Sequence, residues 1–149
     1  MTKNCYRTHQ CKDLDIKNVG EEVIVSGWIE NIRDHGGVLF LDLRDNTDTL
    51  QIVSNDDSLF KKLTKESVII VSGIIRKRDE ETFSDKIATG EIELLVSKLD
   101  VLGKSKSELP FEIMSSKATK EDVRLKYRYL DMRNKKVKSN IMLRAEILH

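Results

Sequence analysis

The sequence predicts an all-β fold: five short strands closed into a small barrel, with a helix between the third and fourth, followed by a linker and then helices. Three observations predict it. Five runs rich in β-branched and apolar residues are separated by clusters of Asn, Asp, Gly and Ser, the pattern of strands joined by turns. Between the third and fourth runs lies one stretch, residues 55–65, whose apolar residues fall at helical spacing. Finally, VIVSGWI at residues 23–29 is nearly repeated as IIVSGII at residues 69–75, two equivalent strands with a glycine where each can bend.

Residues 3–21 read as an irregular lead-in with room for one helical turn. Strand one is expected over residues 22–33, interrupted at Gly27, and a charged Gly-rich loop over residues 33–37 follows it. Strand two, residues 38–44, alternates strictly: Leu39, Leu41 and Leu43 point one way, Val38, Phe40, Asp42 and Arg44 the other. A turn at residues 45–48 leads into strand three, residues 49–53, with Leu50 and Ile52 inward and Gln51 outward. Asn55, Asp56 and Asp57 offer caps for the short helix, whose Leu59, Phe60 and Leu63 share one side. Strand four covers residues 67–76 and a long charged loop residues 77–90. Strand five, residues 91–102, turns Ile92, Leu94 and Val96 inward and Glu91, Glu93 and Leu95 outward. Residues 104–118, rich in Ser and holding Pro110, read as a linker. Thr119 followed by Asp122 is a capping pattern for a helix carrying Val123, Tyr127 and Leu130, and a second helix from Lys135 aligns Val137, Ile141, Ala145 and Leu148.

Hydrophobic content of 39% with 34% charged residues suits a soluble globular chain and excludes a disordered one. No apolar run approaches membrane-spanning length and the first residues lack a signal-peptide core, so a cytoplasmic location without membrane contact is expected. Cys5 and Cys11 stand without a second ligand pair, which argues for reduced structural thiols rather than a metal site. The net charge of +1 conceals an asymmetry. Residues 1–116 carry 16 Lys and Arg against 21 Asp and Glu, and residues 117–149 carry 10 against 4. Any phosphate-binding surface on the first part must therefore be built from locally placed cations.

Three strands, a helix and two more strands with bends at glycines is the order of the oligonucleotide-binding (OB) barrel. In that fold strands two and three form the binding face, and the loops between strands one and two and between four and five close over it. Alternation places Phe40, Gln51 and Glu93 outward, an aromatic platform and two hydrogen-bonding side chains that suit one unpaired base. Arg33, Arg76 and Arg78 lie at the loop edges, where phosphates or neighbouring bases would pass. Trp28 reads as barrel packing, and Lys135, Lys136 and Lys138 as a solvated helix face.

The blocks RTHQC at residues 7–11, GWIENIRDHGGVLFLDLRD at 27–45, IATGEIEL at 87–94 and RLKYRYLDMR at 124–133 cover the chain in order. On these blocks the chain resembles the N-terminal part of bacterial-type aspartyl-tRNA synthetases, a class IIb family. The resemblance implies an anticodon-binding OB domain over residues 1–103, a hinge over 104–118, and the truncated start of an α/β class II catalytic domain over 119–149. It implies that Phe40 stacks on the central anticodon base, that Gln51 and Glu93 hydrogen-bond to it, and that Arg33 and Arg78, with Arg76 beside them, contact the anticodon loop. It also implies a full-length homodimeric ligase that joins aspartate to tRNA(Asp), and in some members tRNA(Asn), using ATP and Mg²⁺. The 149 residues themselves are expected to be monomeric and catalytically inactive, with no catalytic residue, metal or cofactor of their own. His35 and Thr82 sit where family members differ and are candidates for setting tRNA specificity. Asn31 and Ile32 stand where the family often has arginines. The competing readings are the asparaginyl or lysyl enzyme of the same subclass, and a free-standing single-strand-binding barrel.

Overall fold

The computed structural model describes residues 5–149 apart from 57, 59, 61, 62, 80–82, 85 and 86. Five strands, β1 (Glu22–His35), β2 (Val38–Arg44), β3 (Thr49–Ser54), β4 (Val68–Lys77) and β5 (Ile92–Gly103), close a barrel in the order β1-β2-β3-β5-β4. The pairings are antiparallel except between β3 and β5, which run parallel with Ile52 opposite Leu94. This is the expected OB architecture.

The near-repeat has a geometric cause. β1 and β4 pair with each other, Val25 opposite Val71, and each also pairs with a second neighbour, β2 or β5. At Gly27 an added Cβ would fall on the Arg44 carbonyl, and at Gly73 on the Leu95 carbonyl. Only glycine lets the two backbones approach this closely. The alternating apolar residues then fill the interior: Val23, Ile29, Leu41, Leu43, Leu50, Ile52, Ile69, Val71, Ile75 and Leu94 have no exposed surface. Each such side chain contributes about 1.5–3 kcal/mol relative to exposure.

Two departures from expectation shape the binding face. β1 continues to His35, so the loop expected over residues 33–37 shrinks to Gly36 and Gly37, both with positive φ, as a two-residue hairpin turn favours. The register of β1 against β2 also slips between Ile29 and Asn31. Before the slip Val23, Val25 and Ile29 face the core; after it Ile32 packs there instead. The bulge therefore reverses the strand's parity and turns Arg33 outward.

The helix expected over residues 55–65, with Leu59, falls partly outside the described residues. Within them, the Asp56 amide donates to Ser54 Oγ, the Ser58 amide donates to Asp56 Oδ1, and Phe60 is buried in the core. The lead-in holds two 3-10 turns, Cys11–Asp13 and Ile16–Asn18, rather than one helical turn. It is tied down where the Cys11 amide donates to Asp45 Oδ2 at 2.8 Å, and burial pushes the Cys11 thiol far up.

The chain divides into two compact units, Met1–Ser107 and Glu108–His149. The stretch read as a linker is shared between them. The Ser105 amide donates to Ser67 Oγ in the first unit, whereas Phe111 and Ile113 are buried with Leu130 in the second, beside Val123 and Tyr127. The second unit holds α1 (Glu121–Lys126), α2 (Arg128–Asp131) and α3 (Lys135–Leu148). The single helix expected through Val123, Tyr127 and Leu130 is broken at Tyr127 (φ −111°, ψ 44°). The Thr119 capping pattern is not used either, because Lys120 occupies the N-cap and no side chain caps the helix. Asn134 does cap α3, accepting from the Lys136 and Val137 amides. Along that helix Val137 is buried while Ile141 and Leu148 are exposed, so only the first turn of the expected stripe is packed.

Candidate nucleic-acid interface

One cleft of about 350 Å³ opens on the outer face of the barrel, lined by Arg33, His35, Phe40, Gln51, Arg76, Arg78, Asp79 and Glu93. All six residues expected to read the nucleic acid line it, and so does His35. Thr82 lies outside the described residues. Asp79, exposed at the rim, was not anticipated, because a charged loop offers no periodicity from which to read direction.

Phe40 is half-buried on β2, opposite Arg33 and Val53. The His35 ring meets it edge-on, with centroids 5.5 Å apart and planes at 75°. An aromatic held from one side presents a face on which a flat group can stack.

Beside it runs a chain of polar contacts, from Asp42 through Arg33, Gln51 and Glu93 to Arg76. Arg33 Nη2 of β1 donates to Asp42 Oδ1 of β2 at 2.6 Å and to Gln51 Oε1 of β3 at 3.3 Å. Gln51 Nε2 donates to Glu93 Oε2 of β5 at 2.7 Å, and Arg76 Nε of β4 donates to Glu93 Oε1 at 2.6 Å. Each strand supplies one side chain. Gln51 and Glu93 are only 5% and 7% exposed, so they are buried in the floor of the cleft rather than standing in solvent as an outward strand residue would. Burial raises the Asp42 carboxyl above its usual range; Arg33 opposes that shift, Glu30 adds to it and Arg78 opposes it. Arg78 has its backbone amide tied to the Glu91 carbonyl, while its buried Nε has no hydrogen-bond partner among the described residues.

The hydrogen-bonding capacity left over defines what the site can do. A carboxylate offers about four acceptor positions, and Glu93 fills two of them. Gln51 has its amide oriented from both ends, because Arg33 requires an acceptor and Glu93 a donor. These contacts leave acceptor capacity on Glu93 and the second N–H of Gln51 unused. Arg44, placed by alternation on the same face as Phe40, does not join them. It is buried, its Nη2 bound to Glu66 at 2.6 Å and its guanidinium 6.0 Å from the centre of the Trp28 ring; Trp28, expected as barrel packing, is half-buried on the outer face of β1 and packs outside the core. Alternation places Asp42 on the correct face, but its partner depends on the bulge that turns Arg33 towards it.

No group of three or more His, Cys, Asp or Glu placed to hold a metal occurs among the described residues. None of the described helices is long and apolar enough to cross a membrane.

Residues 23–102 match the family described as the OB-fold nucleic acid binding domain. Among curated relatives, the aspartate–tRNA(Asp/Asn) ligase of Erythrobacter litoralis is 44% identical over 149 residues, 97% of this chain and 24% of its own length. That of Bradyrhizobium diazoefficiens is 46% identical over 147 residues, 96% of this chain and 25% of its own length. The chain thus spans about a quarter of these relatives. Among solved structures, asparaginyl-tRNA synthetase from Pyrococcus horikoshii shares the fold with a TM-score of 0.77 at 24% identity, over 94% of this chain and 33% of that one.

Proposed function

Because the chain belongs to the family of OB-fold nucleic acid binding domains, we propose that it is the anticodon-reading region of an aspartate–tRNA ligase. The observation that carries this reading is the convergence of Phe40, Gln51 and Glu93 on one cleft, with Arg33, Arg76 and Arg78 around it. A base of an unpaired loop stacks on Phe40 while its edge turns towards the other two. Uracil presents an N3–H donor between two carbonyl acceptors, which suits the open acceptor of Glu93 and the open donor of Gln51. Cytosine presents a lone pair at N3, which a carboxylate repels. The N4 amino group of cytosine can also donate to a carboxylate, so uridine is the base of choice where Glu93 faces N3 and Gln51 a neighbouring carbonyl. Arg78, with an unsatisfied buried N–H, and the exposed part of Arg33 meet phosphates or flanking bases.

The RNA partner is tRNA(Asp), together with tRNA(Asn), by analogy with the aspartate–tRNA(Asp/Asn) ligases it resembles. His35, at the hairpin tip against Phe40, and Thr82, which lies between β4 and β5 in the sequence, are the positions assigned to the choice between the two. Joining aspartate to tRNA with ATP and Mg²⁺, the homodimer that does so and its cytoplasmic location belong to the proposal for the whole protein. They are not located on these residues. The test is binding of RNA hairpins carrying the aspartate anticodon in the loop. The chain is expected to bind the hairpin with uridine at the central anticodon position more tightly than the one with cytidine there, and to attach no aspartate to tRNA. Equal affinity for both hairpins would remove the reading.

A further inference from the structure

Base reading by Phe40, Gln51 and Glu93 leaves Asp42 without a task, although it anchors one end of the polar chain. Arg33 is a long side chain, 42% exposed, and would sample many rotamers in solution; Asp42, on the neighbouring strand and 19% exposed, has few alternatives. The single nitrogen Nη2 of Arg33 serves both Asp42 and Gln51, so the position of that nitrogen over Gln51 depends on the Asp42 contact. Two groups orient the Gln51 amide, Arg33 at its oxygen and Glu93 at its nitrogen. They are not equivalent during recognition. Glu93 holds the nitrogen end through one of its acceptor positions and keeps others open, whereas the oxygen end has Arg33.

We propose that Asp42 is a positioning residue for base discrimination: by fixing the Arg33 guanidinium it keeps the Gln51 oxygen occupied and stops the amide from presenting its acceptor to the bound base. The inference rests on the base-reading role proposed above. A Gln51 held by Glu93 alone keeps its nitrogen on the carboxylate while its oxygen, no longer claimed by Arg33, swings towards the base, and the N4 amino group of cytosine then finds an acceptor for which uracil has no second donor. Affinity falls little, because stacking on Phe40 is untouched, but discrimination falls. The surroundings of Asp42 agree with a residue kept for function. It is partly buried, with Glu30 as a second acid near it and Arg33 and Arg78 as the cations, and burial disfavours its charged form.

The experiment measures the ratio of affinities for the uridine and cytidine hairpins in the wild-type chain, Asp42→Ala, Arg33→Ala and the double variant, with a thermal melt of each. In Asp42→Ala the ratio is expected to fall about fivefold, the worth of one fixed hydrogen bond. The double variant is expected to match Arg33→Ala, and the melting temperature not to fall. Asp42→Asn, which keeps the shape and loses the charge, gives an intermediate ratio and covers the case in which the alanine variant does not fold. An unchanged ratio in Asp42→Ala and Asp42→Asn overturns the proposal, as does a loss in the double variant beyond that of Arg33→Ala. A wild-type chain with no preference removes the base-reading role, and this inference with it. Wild-type preference retained in both Asp42 variants removes the inference alone.

Discussion

Two buried carboxylates, one in each unit, show how the same chemistry is turned to different ends. Asp131 in the second unit accepts four hydrogen bonds. Ser116 Oγ and Arg124 Nε reach its Oδ1 at 2.9 and 3.1 Å, and Arg124 Nη2 and Arg128 Nη1 reach its Oδ2 at 3.1 and 2.7 Å. No acceptor position is left, and its side chain has no exposed surface. The cover is thin, made by the groups that bind it. Burial alone would raise its carboxyl, yet the hydrogen bonds from Arg124 and Ser116 and the charges of Arg124 and Arg128 hold it below the usual range. Glu93 in the barrel accepts two such bonds and turns the remainder of its capacity to a cleft. A saturated carboxylate fastens a fold, whereas a half-saturated one, aimed at open space beside an aromatic, is equipped to receive a ligand.

The contrast can be broken at several points. Asp131→Ala is expected to cost the second unit about 2 kcal/mol, since it strips partners from three side chains, two of them partly exposed. Hydrogen exchange in α1 and α2 would report the loss, with hairpin affinity unchanged. Phe40→Ala has the reverse profile: hairpin binding weakens by at least about tenfold, from the loss of a stack worth roughly 1–3 kcal/mol, while the melting temperature moves little. Unchanged affinity would remove Phe40 from the site.

Acid titration separates the two clusters by sign. Asp131, with its pKa lowered from 3.8, contributes stability that is present above 3.8 and lost as pH falls through the lower folded value. Asp42, with its pKa raised from 3.8, carries a cost that is complete above the raised value and relieved as pH falls towards 3.8. Carboxyl carbon shifts followed by NMR should therefore show Asp42 protonating first, with Arg33 released, before the second unit loosens. The opposite order would contradict both assignments. The smallest effect is on salt dependence. Arg33 and Arg76 are already paired with Asp42 and Glu93. Few phosphates can then be neutralised, and the slope of log K against log salt should be shallow, about −1 to −2. A steep slope would mean that phosphates outside the cleft dominate binding.

Much of the barrel was legible because alternation is a strong signal where one face is buried. Leu39, Leu41, Leu43, Leu50, Ile52, Ile92 and Leu94 all point as period two requires. The bulge after Ile29 was not legible, since nothing in WIENIR marks the residue that slips, and the pairing of Arg33 with Asp42 went unseen with it. Alternation likewise put Phe40, Gln51 and Glu93 on one face but could not show that Gln51 and Glu93 would be buried by the arginines that bind them. Tyr127 shows the opposite limit. Its spacing from Val123 and Leu130 is helical and all three do pack together, although the backbone breaks at Tyr127 itself.

The most direct measurement exchanges the open acceptor for a donor. In Glu93→Gln the edge that faced uracil N3–H gains an N–H of its own, so the preference for the uridine hairpin over the cytidine hairpin should vanish or invert. A Glu93→Gln chain that still discriminates between the two as the wild type does would show that this carboxylate does not read the base.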